Sequence, residues 1–338
     1  MRLARLAALA LSTLAALALV EVGTRWFVPV RELGPAFSLY DPILGARHKP
    51  NQRTTRWTPE FTMQLSTNSS GQRGPEPTPD DRSAAARILF VGDSFTEGYG
   101  VDDGQEYPRL VATRLAGLGI RAQIINEGVG NTGTGRAYRL VRAYASEPDR
   151  QTILVYQFSA NDFGDDQRDG FFSLAGDGRL AEAPVPVPLV FLRRIQPVVD
   201  AIPGLSRSHF FAALMQIARA RRQPERAASA PTEEGAIPAS DGEREQLTLR
   251  LIAEIIAAAT SRGWQVVILV ADASPDVASR IEEVARSGSA AFVRVPDKSE
   301  RPDLYYRVDG HWNPAGHAEA AARLRTPLEG WLPRLASR

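Results

Sequence analysis

The stretch Ile88-Leu89-Phe90-Val91 runs directly into Gly92-Asp93-Ser94-Phe95-Thr96-Glu97-Gly98-Tyr99-Gly100. A short apolar run with β-branched ends reads as a buried parallel strand, and such a strand delivers the residues after it to the C-terminal edge of a sheet, where open α/β sheets bind ligands. Ser94 therefore stands where a nucleophile would be used. A serine hydroxyl attacks poorly until a neighbouring base takes its proton. The chain contains four histidines and no cysteine. Thiolate nucleophiles, disulfides and thiolate metal sites are excluded, and few candidate bases remain.

His311 is the candidate base. In Tyr306-Arg307-Val308-Asp309-Gly310-His311-Trp312-Asn313-Pro314, a carboxylate two residues before an imidazole can fix its tautomer and stabilise the imidazolium formed when it accepts a proton. Asn313 and Pro314 read as the N-cap and first residue of a helix and need no chemical role. His317, early in that helix, is expected to pack. Two other polar stretches come after candidate strands. The loop Asn126-Glu127-Gly128-Val129-Gly130-Asn131-Thr132-Gly133-Thr134-Gly135 is rich in glycine, which lets backbone N–H groups approach an oxyanion or a phosphate closely. In Ser159-Ala160-Asn161-Asp162, the Asn161 amide either donates to a developing oxyanion or caps a turn.

These residues need a scaffold that gathers them. From Arg87 onward, apolar runs at 87–92, 122–126, 152–158, 265–271 and 290–295 alternate with helical patterns near 104–118, 134–146, 245–262 and 275–287, and a last helix starts at Pro314. Alternation of this kind is the signature of βαβ units and a parallel sheet, whose strand ends converge on one edge. Two stretches interrupt it. Phe163 to Met215 carries Pro184-Val185-Pro186-Val187-Pro188, which is incompatible with helix, and Arg219 to Glu245 has the composition of a loop. An insertion at about 163–245 leaves from the edge where chemistry would sit and is a candidate lid or a decorative loop.

With 338 residues, 43% of them hydrophobic, the chain can bury one large domain plus extensions. Its formal charge is +1 and its basic residues are scattered, so no nucleic-acid partner is expected. Residues 1–28 hold Arg2 and Arg5, an uncharged run from Leu6 to Val20, then Glu21 and Arg25-Trp26-Phe27. This is a signal anchor or a signal peptide, either of which exports the remainder. Ala16-Leu17-Ala18 offers a cleavage site, while Trp26 and Phe27 resemble an interfacial belt. Residues 29–86 read as a β-rich lead-in and linker, with turn chemistry at Asn68-Ser69-Ser70-Gly71-Gln72-Arg73-Gly74-Pro75.

Taken in order, Gly92-Asp93-Ser94, the 126–135 loop, Asn161-Asp162 and Asp309-Gly310-His311 resemble the four sequence blocks of the SGNH hydrolases, the GDSL esterase and lipase family. The Asn68–Pro75 turn is similar to the lead-in of membrane-anchored bacterial members. The resemblance implies a three-layer α/β/α domain over 87–335, built on a doubly wound five-stranded parallel sheet in the flavodoxin-like order 2-1-3-4-5. It also implies Ser94 as nucleophile, His311 as base, Asp309 as its orienter, and an oxyanion hole from the Ser94 N–H, a second-block N–H and Asn161, with no cofactor and no metal. In the second block Asn131 stands where the family has glycine, with Gly130 just before it, so either could be the donor. In the third block Ser159 replaces the usual glycine.

The implied activity is ester hydrolysis through an acyl-enzyme, removing O-acetyl or other short acyl groups from an envelope carbohydrate or lipid. O-acyl transfer to a cell-surface polysaccharide would use the same triad. A catalytically inactive carbohydrate-binding or scaffold protein is the reading from another class. The Gly-x-Ser-x-Gly elbow of α/β-hydrolases is absent around Ser94. A metal site from Asp309, His311 and His317 has suitable ligand types, but would leave Ser94 and Asn161 without a role.

Overall fold

The computed structural model describes residues 2–147, 150–186, 199, 201–202, 204–217 and 241–336. The chain divides into two compact units, one drawn from Met1–Ala36, Thr55–Thr62 and Pro188–Glu234, the other from Phe37–Thr54, Met63–Val187 and Gly235–Arg338.

The strands are β1 (Ser38–Asp41), β2 (Gly45–His48), β3 (Arg53–Trp57), β4 (Thr62–Ser66), β5 (Ala86–Val91), β6 (Ala122–Asn126), β7 (Gln151–Ser159), β8 (Phe172–Leu174), β9 (Leu180–Glu182), β10 (Gln265–Ala271) and β11 (Ala291–Arg294). Helices among the described residues include α1 (Arg2–Phe27), α2 (Pro79–Ser83), α3 (Ser94–Glu97), α4 (Tyr107–Gly117), α5 (Thr134–Ala145), α6 (Asp162–Asp169), α7 (Asp241–Thr260), α8 (Pro275–Ser287), α9 (Pro314–Arg323) and α10 (Arg325–Ala336), and residues 209–217 are also helical.

The larger unit is organised by five strands in the order β11-β10-β7-β5-β6, with every pairing of known register parallel. Counting these strands along the chain gives 2-1-3-4-5. All six residues of β5 are buried, as a strand covered on both faces requires. Its side chains alternate between two cores. Ile88 and Phe90 face a cluster with Val111 and Leu115 of α4, Ala320 of α9 and Leu328 of α10. Leu89 and Val91 face the other, with Ala137 and Leu140 of α5, Ile252 and Ile255 of α7 and Ile281 of α8. The domain is therefore three-layered, helices on sheet on helices, and its sheet is doubly wound.

The insertion is partly structured. Residues Asp162–Asp169 form α6, and β8 and β9 pair as an antiparallel hairpin. The expected loop of Arg219 to Glu245 ends earlier than read, because α7 begins at Asp241 with acidic Asp241 and Glu243 in its first turn, where they complement the helix dipole. The remainder of that loop, and Val187-Pro188 of the proline run, lie outside the described residues. Helix α1 is 26 residues long and buries no side chain, so it is long and apolar enough to cross a membrane.

Candidate active site

Ser94 is the first residue of α3, immediately beyond β5. Asp93 caps that short helix through Oδ1, which accepts the Phe95 N–H at 2.9 Å. Gly92 must lack a side chain, since a Cβ there would lie 2.4 Å from Thr96 Oγ1 and 2.5 Å from Gln157 Oε1. The turn thus packs onto β7 and turns the Ser94 hydroxyl out of the core, where the residue is half-buried.

His311 reaches it from 217 residues downstream: Ser94 Oγ lies 2.7 Å from His311 Nε2. The imidazole is carried on a tight reversal, in which Tyr306 donates its N–H to the His311 carbonyl and Tyr305 bridges to Trp312. Trp312 is fully buried against Phe95 and Tyr107, and Asn313 accepts the Ala315 and Gly316 N–H groups to start α9. The ring itself rests against Phe95 and Tyr99, with centroids 5.2 and 4.8 Å away.

Behind His311, Nδ1 donates to Asp309 Oδ1 at 2.5 Å. That bond places the proton on Nδ1 and leaves Nε2 as an acceptor toward Ser94. Burial disfavours the imidazolium, but the Asp309 hydrogen bond and charge, with Asp93 and Glu97 beyond, outweigh it and hold His311 above the ordinary imidazole value. Asp309 responds in the opposite sense: burial is overcome by His311, and its carboxyl is held below the usual range.

The second-block loop lies against the serine. A Cβ at Gly128 would come within 2.1 Å of the Glu97 N, so only glycine permits this approach to α3. The expected alternatives at Gly130 and Asn131 separate here. The Gly130 N–H donates to Glu97 Oε1 at 3.1 Å and is directed into the protein. Asn131 adopts φ 58° and is exposed, and its N–H makes no hydrogen bond among the described residues. Asparagine tolerates that left-handed conformation better than most side chains, which accounts for its standing in a glycine position.

Asn161 sits at the head of α6, but its side chain does not cap the helix. Its Oδ1 accepts from Ser159 Oγ at 2.5 Å, and its Nδ2 donates to Asp165 Oδ2 at 3.1 Å and Asp93 Oδ2 at 3.3 Å. Ser159 Oγ is equally close, 2.5 Å, to Asp93 Oδ2. Burial raises the Asp93 carboxyl above its ordinary value despite these contacts. The Ser159 hydroxyl thus stands between the Asp93 carboxyl and the Asn161 amide oxygen, in reach of both acceptors. The side chain that replaces the family's glycine at 159 thus holds one end of the Asn161 amide.

A family model described as the GDSL-like lipase/acylhydrolase family matches residues 90–319, more than half of the chain. The chain belongs to this family. This GDSL protein is accordingly a serine ester hydrolase of the SGNH type, and the matched span runs from β5 through α9. No curated protein matches it. Among solved structures it is similar to TesA at 15% identity, with a TM-score of 0.43, 72% of this chain and 98% of that one being covered. It is also similar to the psychrotrophic esterase EstA from Pseudoalteromonas sp., at 10% identity, TM-score 0.40, with 73% and 98% covered. A third is AlinE4, an SGNH-hydrolase family esterase, at 18% identity, TM-score 0.37, with 75% and 97% covered.

Three residues of this hydrolase escape motif reading. Glu97, His48 and Arg73 are all buried. His48 Nε2 lies 3.0 Å from the Gly128 carbonyl and 3.1 Å from Glu97 Oε1, while Arg73 donates to the Glu97, Gly98 and Val101 carbonyls. Together they tie the lead-in to the turn after Ser94 and to the second-block loop. The available signal was charge inside turn chemistry: Arg73 within Asn68–Pro75, and Glu97 three residues after the serine. His317 is fully buried, stacked on Tyr107 and accepting its N–H at 3.4 Å. Burial lowers its pKa to about 3, so it stays neutral.

Proposed function

We propose that Ser94 is the nucleophile, His311 the general base and Asp309 its orienter, in a short-acyl esterase that acts outside the cytoplasm on envelope carbohydrate or lipid esters. The observation that carries this reading is the unbroken line Asp309–His311–Ser94, with contacts of 2.5 and 2.7 Å. In the reaction, His311 Nε2 takes the Ser94 proton as Oγ attacks the ester carbonyl. The resulting imidazolium is stabilised by Asp309 and returns the proton to the departing alkoxide. Water, deprotonated by the same nitrogen, then releases the acyl group.

The oxyanion is assigned to the Ser94 and Asn131 N–H groups and to the Asn161 amide, whose longer bond to Asp93 is the one exchanged when a carbonyl oxygen arrives. The substrate class rests on the rim of the site. Asn131 and Asn161 are exposed polar residues, which suits a hydrophilic ester with a small acyl group. Export rests on α1, read as a signal anchor, which would hold the enzyme at the outer face of the membrane.

Turnover of p-nitrophenyl acetate by the full chain in detergent, compared with Ser94→Ala, tests the chemistry. The expected result is Ser94-dependent hydrolysis and an acyl adduct on Ser94 by mass spectrometry. Equal rates in the two proteins would overturn it and favour the binding-protein alternative. Product analysis with acetylated and unacetylated polysaccharides in the same assay separates hydrolysis from acyl transfer.

A further inference from the structure

Resting on the reading of α1 as a retained membrane anchor, we infer that helical residues 209–217 form a second membrane contact, an interfacial helix that lies in the lipid headgroup region beside the end of α1. Both belong to the smaller unit. Helix α1 ends in Trp26 and Phe27, which are exposed, and Val28 comes next. At 1.5 Å per residue its 26 residues reach about 39 Å, more than the hydrocarbon thickness of roughly 30 Å, so its last turns emerge at the interface.

Those last turns are attached to the second helix. Glu21 would be an isolated carboxylate on an apolar helix, but Oε1 accepts the His209 N–H at 2.8 Å, and Oε2 accepts the Phe210 N–H at 3.1 Å and the Ser208 hydroxyl at 2.7 Å. The carboxylate therefore serves as a cap for the helix at 209–217, which has Ser208 Oγ accepting the Phe211 N–H as its own cap. At the other end, the Gln216 side chain accepts the Arg31 N–H at 3.4 Å and donates to the Pro29 carbonyl at 3.5 Å. The second helix is thus joined to α1 near Glu21 and to the chain just beyond it.

One face of it is packed and the other is bare. Ala213 is buried, and His209 lies against Trp57. Phe210, Leu214 and Ile217, at i, i+4 and i+7, share one helical face and are 41%, 51% and 51% exposed, with Ile202 nearby in sequence at 48%. Burying such a row against lipid recovers the hydrophobic free energy that water denies it. Charge favours the same occupant. Arg25 and Arg207 flank the contact. Apolar residues bordered by arginines are the composition of helices that bind anionic headgroups. The hydrogen bonds that join this helix to the exposed, apolar last turns of α1 select a bilayer over a protein partner.

The absence of cysteine allows a direct test. Single substitutions Leu11→Cys in α1, Phe210→Cys, Leu214→Cys and Ile217→Cys, with Leu118→Cys as an exposed control in the larger unit, are labelled with an environment-sensitive dye. The full chains are reconstituted in phosphatidylglycerol–phosphatidylethanolamine vesicles containing a spin-labelled phospholipid, and p-nitrophenyl acetate turnover selects folded preparations. The expected result is blue-shifted emission, quenched by the spin label, at 11, 210, 214 and 217, and solvent-like emission at 118. Quenching at 11 with solvent-like emission at 210, 214 and 217 would overturn the interfacial helix and leave the anchor standing. A blue shift at those positions without lipid quenching identifies a protein partner instead and also overturns it. No quenching at 11 removes the anchor itself. Three independent probe positions keep the test decisive if one variant misfolds.

Discussion

The Gly130 N–H donates to Glu97 Oε1 at 3.1 Å, so the residue three places after the serine fixes the loop that faces it. Glu97 is fully buried, and it is held ionised: burial opposes the charge, but His48, the Gly130 N–H and Arg73 more than compensate and lower its pKa. Glu97→Ala should leave His48 and the Gly130 N–H without this partner inside the protein and destabilise the fold by about 3 kcal/mol. Scanning calorimetry would read this as a melting temperature lower by roughly 6–12 °C. Glu97→Gln, which keeps the shape, should fold and lower kcat with little change in KM, because the loop carrying Asn131 loses its charged tether. An unchanged kcat would show that the tether serves stability alone.

Asn161→Ala is expected to retain weak activity. Loss of one oxyanion donor costs on the order of 2.7–4 kcal/mol in the barrier, or about 10²–10³ in kcat. Ser159→Ala should cost less, since it removes only the hydroxyl that holds Asn161 Oδ1. In an Asn161→Ala background it should cost almost nothing further. Steady-state kinetics on the two single variants and the double variant decide this, and additive losses would separate Ser159 from Asn161.

Asp93 and Asp309 both lie near His311 yet should respond differently to amidation. Asp309→Asn removes the acceptor that fixes the imidazole tautomer, and kcat should fall by up to about 10⁴-fold. Asp93→Asn keeps the shape, an acceptor for the Phe95 N–H and a polar group beside Ser159, and should remain within about tenfold of the parent. Comparable collapse of both variants would place Asp93 among the reacting groups.

On the proposed assignment the pH profile is set by His311, which must be neutral to accept the Ser94 proton. Its pKa is raised above the ordinary 6.5, so kcat/KM should fall as the medium is acidified through a midpoint higher than that of a free imidazole. The Asp309→Asn variant loses the bond and charge that support the imidazolium, and the residual activity should have its midpoint at lower pH. A stopped-flow pH series on both proteins measures the displacement.

Stability carries a separate pH signature. Asp166, buried and accepting from Thr248 Oγ1 at 2.7 Å and from the Gly135 N–H at 2.8 Å, is pushed up to about 7 by burial. A folded pKa above the unfolded one favours the protonated fold, so this contribution is full below the unfolded carboxyl value near 3.8 and is lost as pH rises toward 7. Asp166→Asn, which keeps the shape without the charge, should raise the melting temperature at pH 8 and change it little at pH 4. Equal effects at both pH values would refute the assignment.

Much of the fold was legible in the residues because each signal is local. Uninterrupted apolar runs such as Ile88–Val91 and Val266–Val270 leave both faces no option but burial, and the helical stretches between them impose a parallel sheet. Gly92-Asp93-Ser94, Asn161 and Asp309-Gly310-His311 were visible for the same reason: each is a short motif at a strand end or helix start. Other relationships depend on distance along the chain. Nothing in the sequence tells the Gly130 N–H from that of Asn131, because Glu97, which takes the Gly130 N–H, meets the loop only when β5 and β6 pair. His48 and Arg73, from a segment that reads as turns and short strands, gain their positions beneath the serine only on tertiary packing. Asn161 shows most clearly what sequence alone determined and what it did not. Its residue type made it a possible donor, but the directions in which its amide points were decided by Ser159, Asp93 and Asp165, and a hydrogen bond is directional where composition is not.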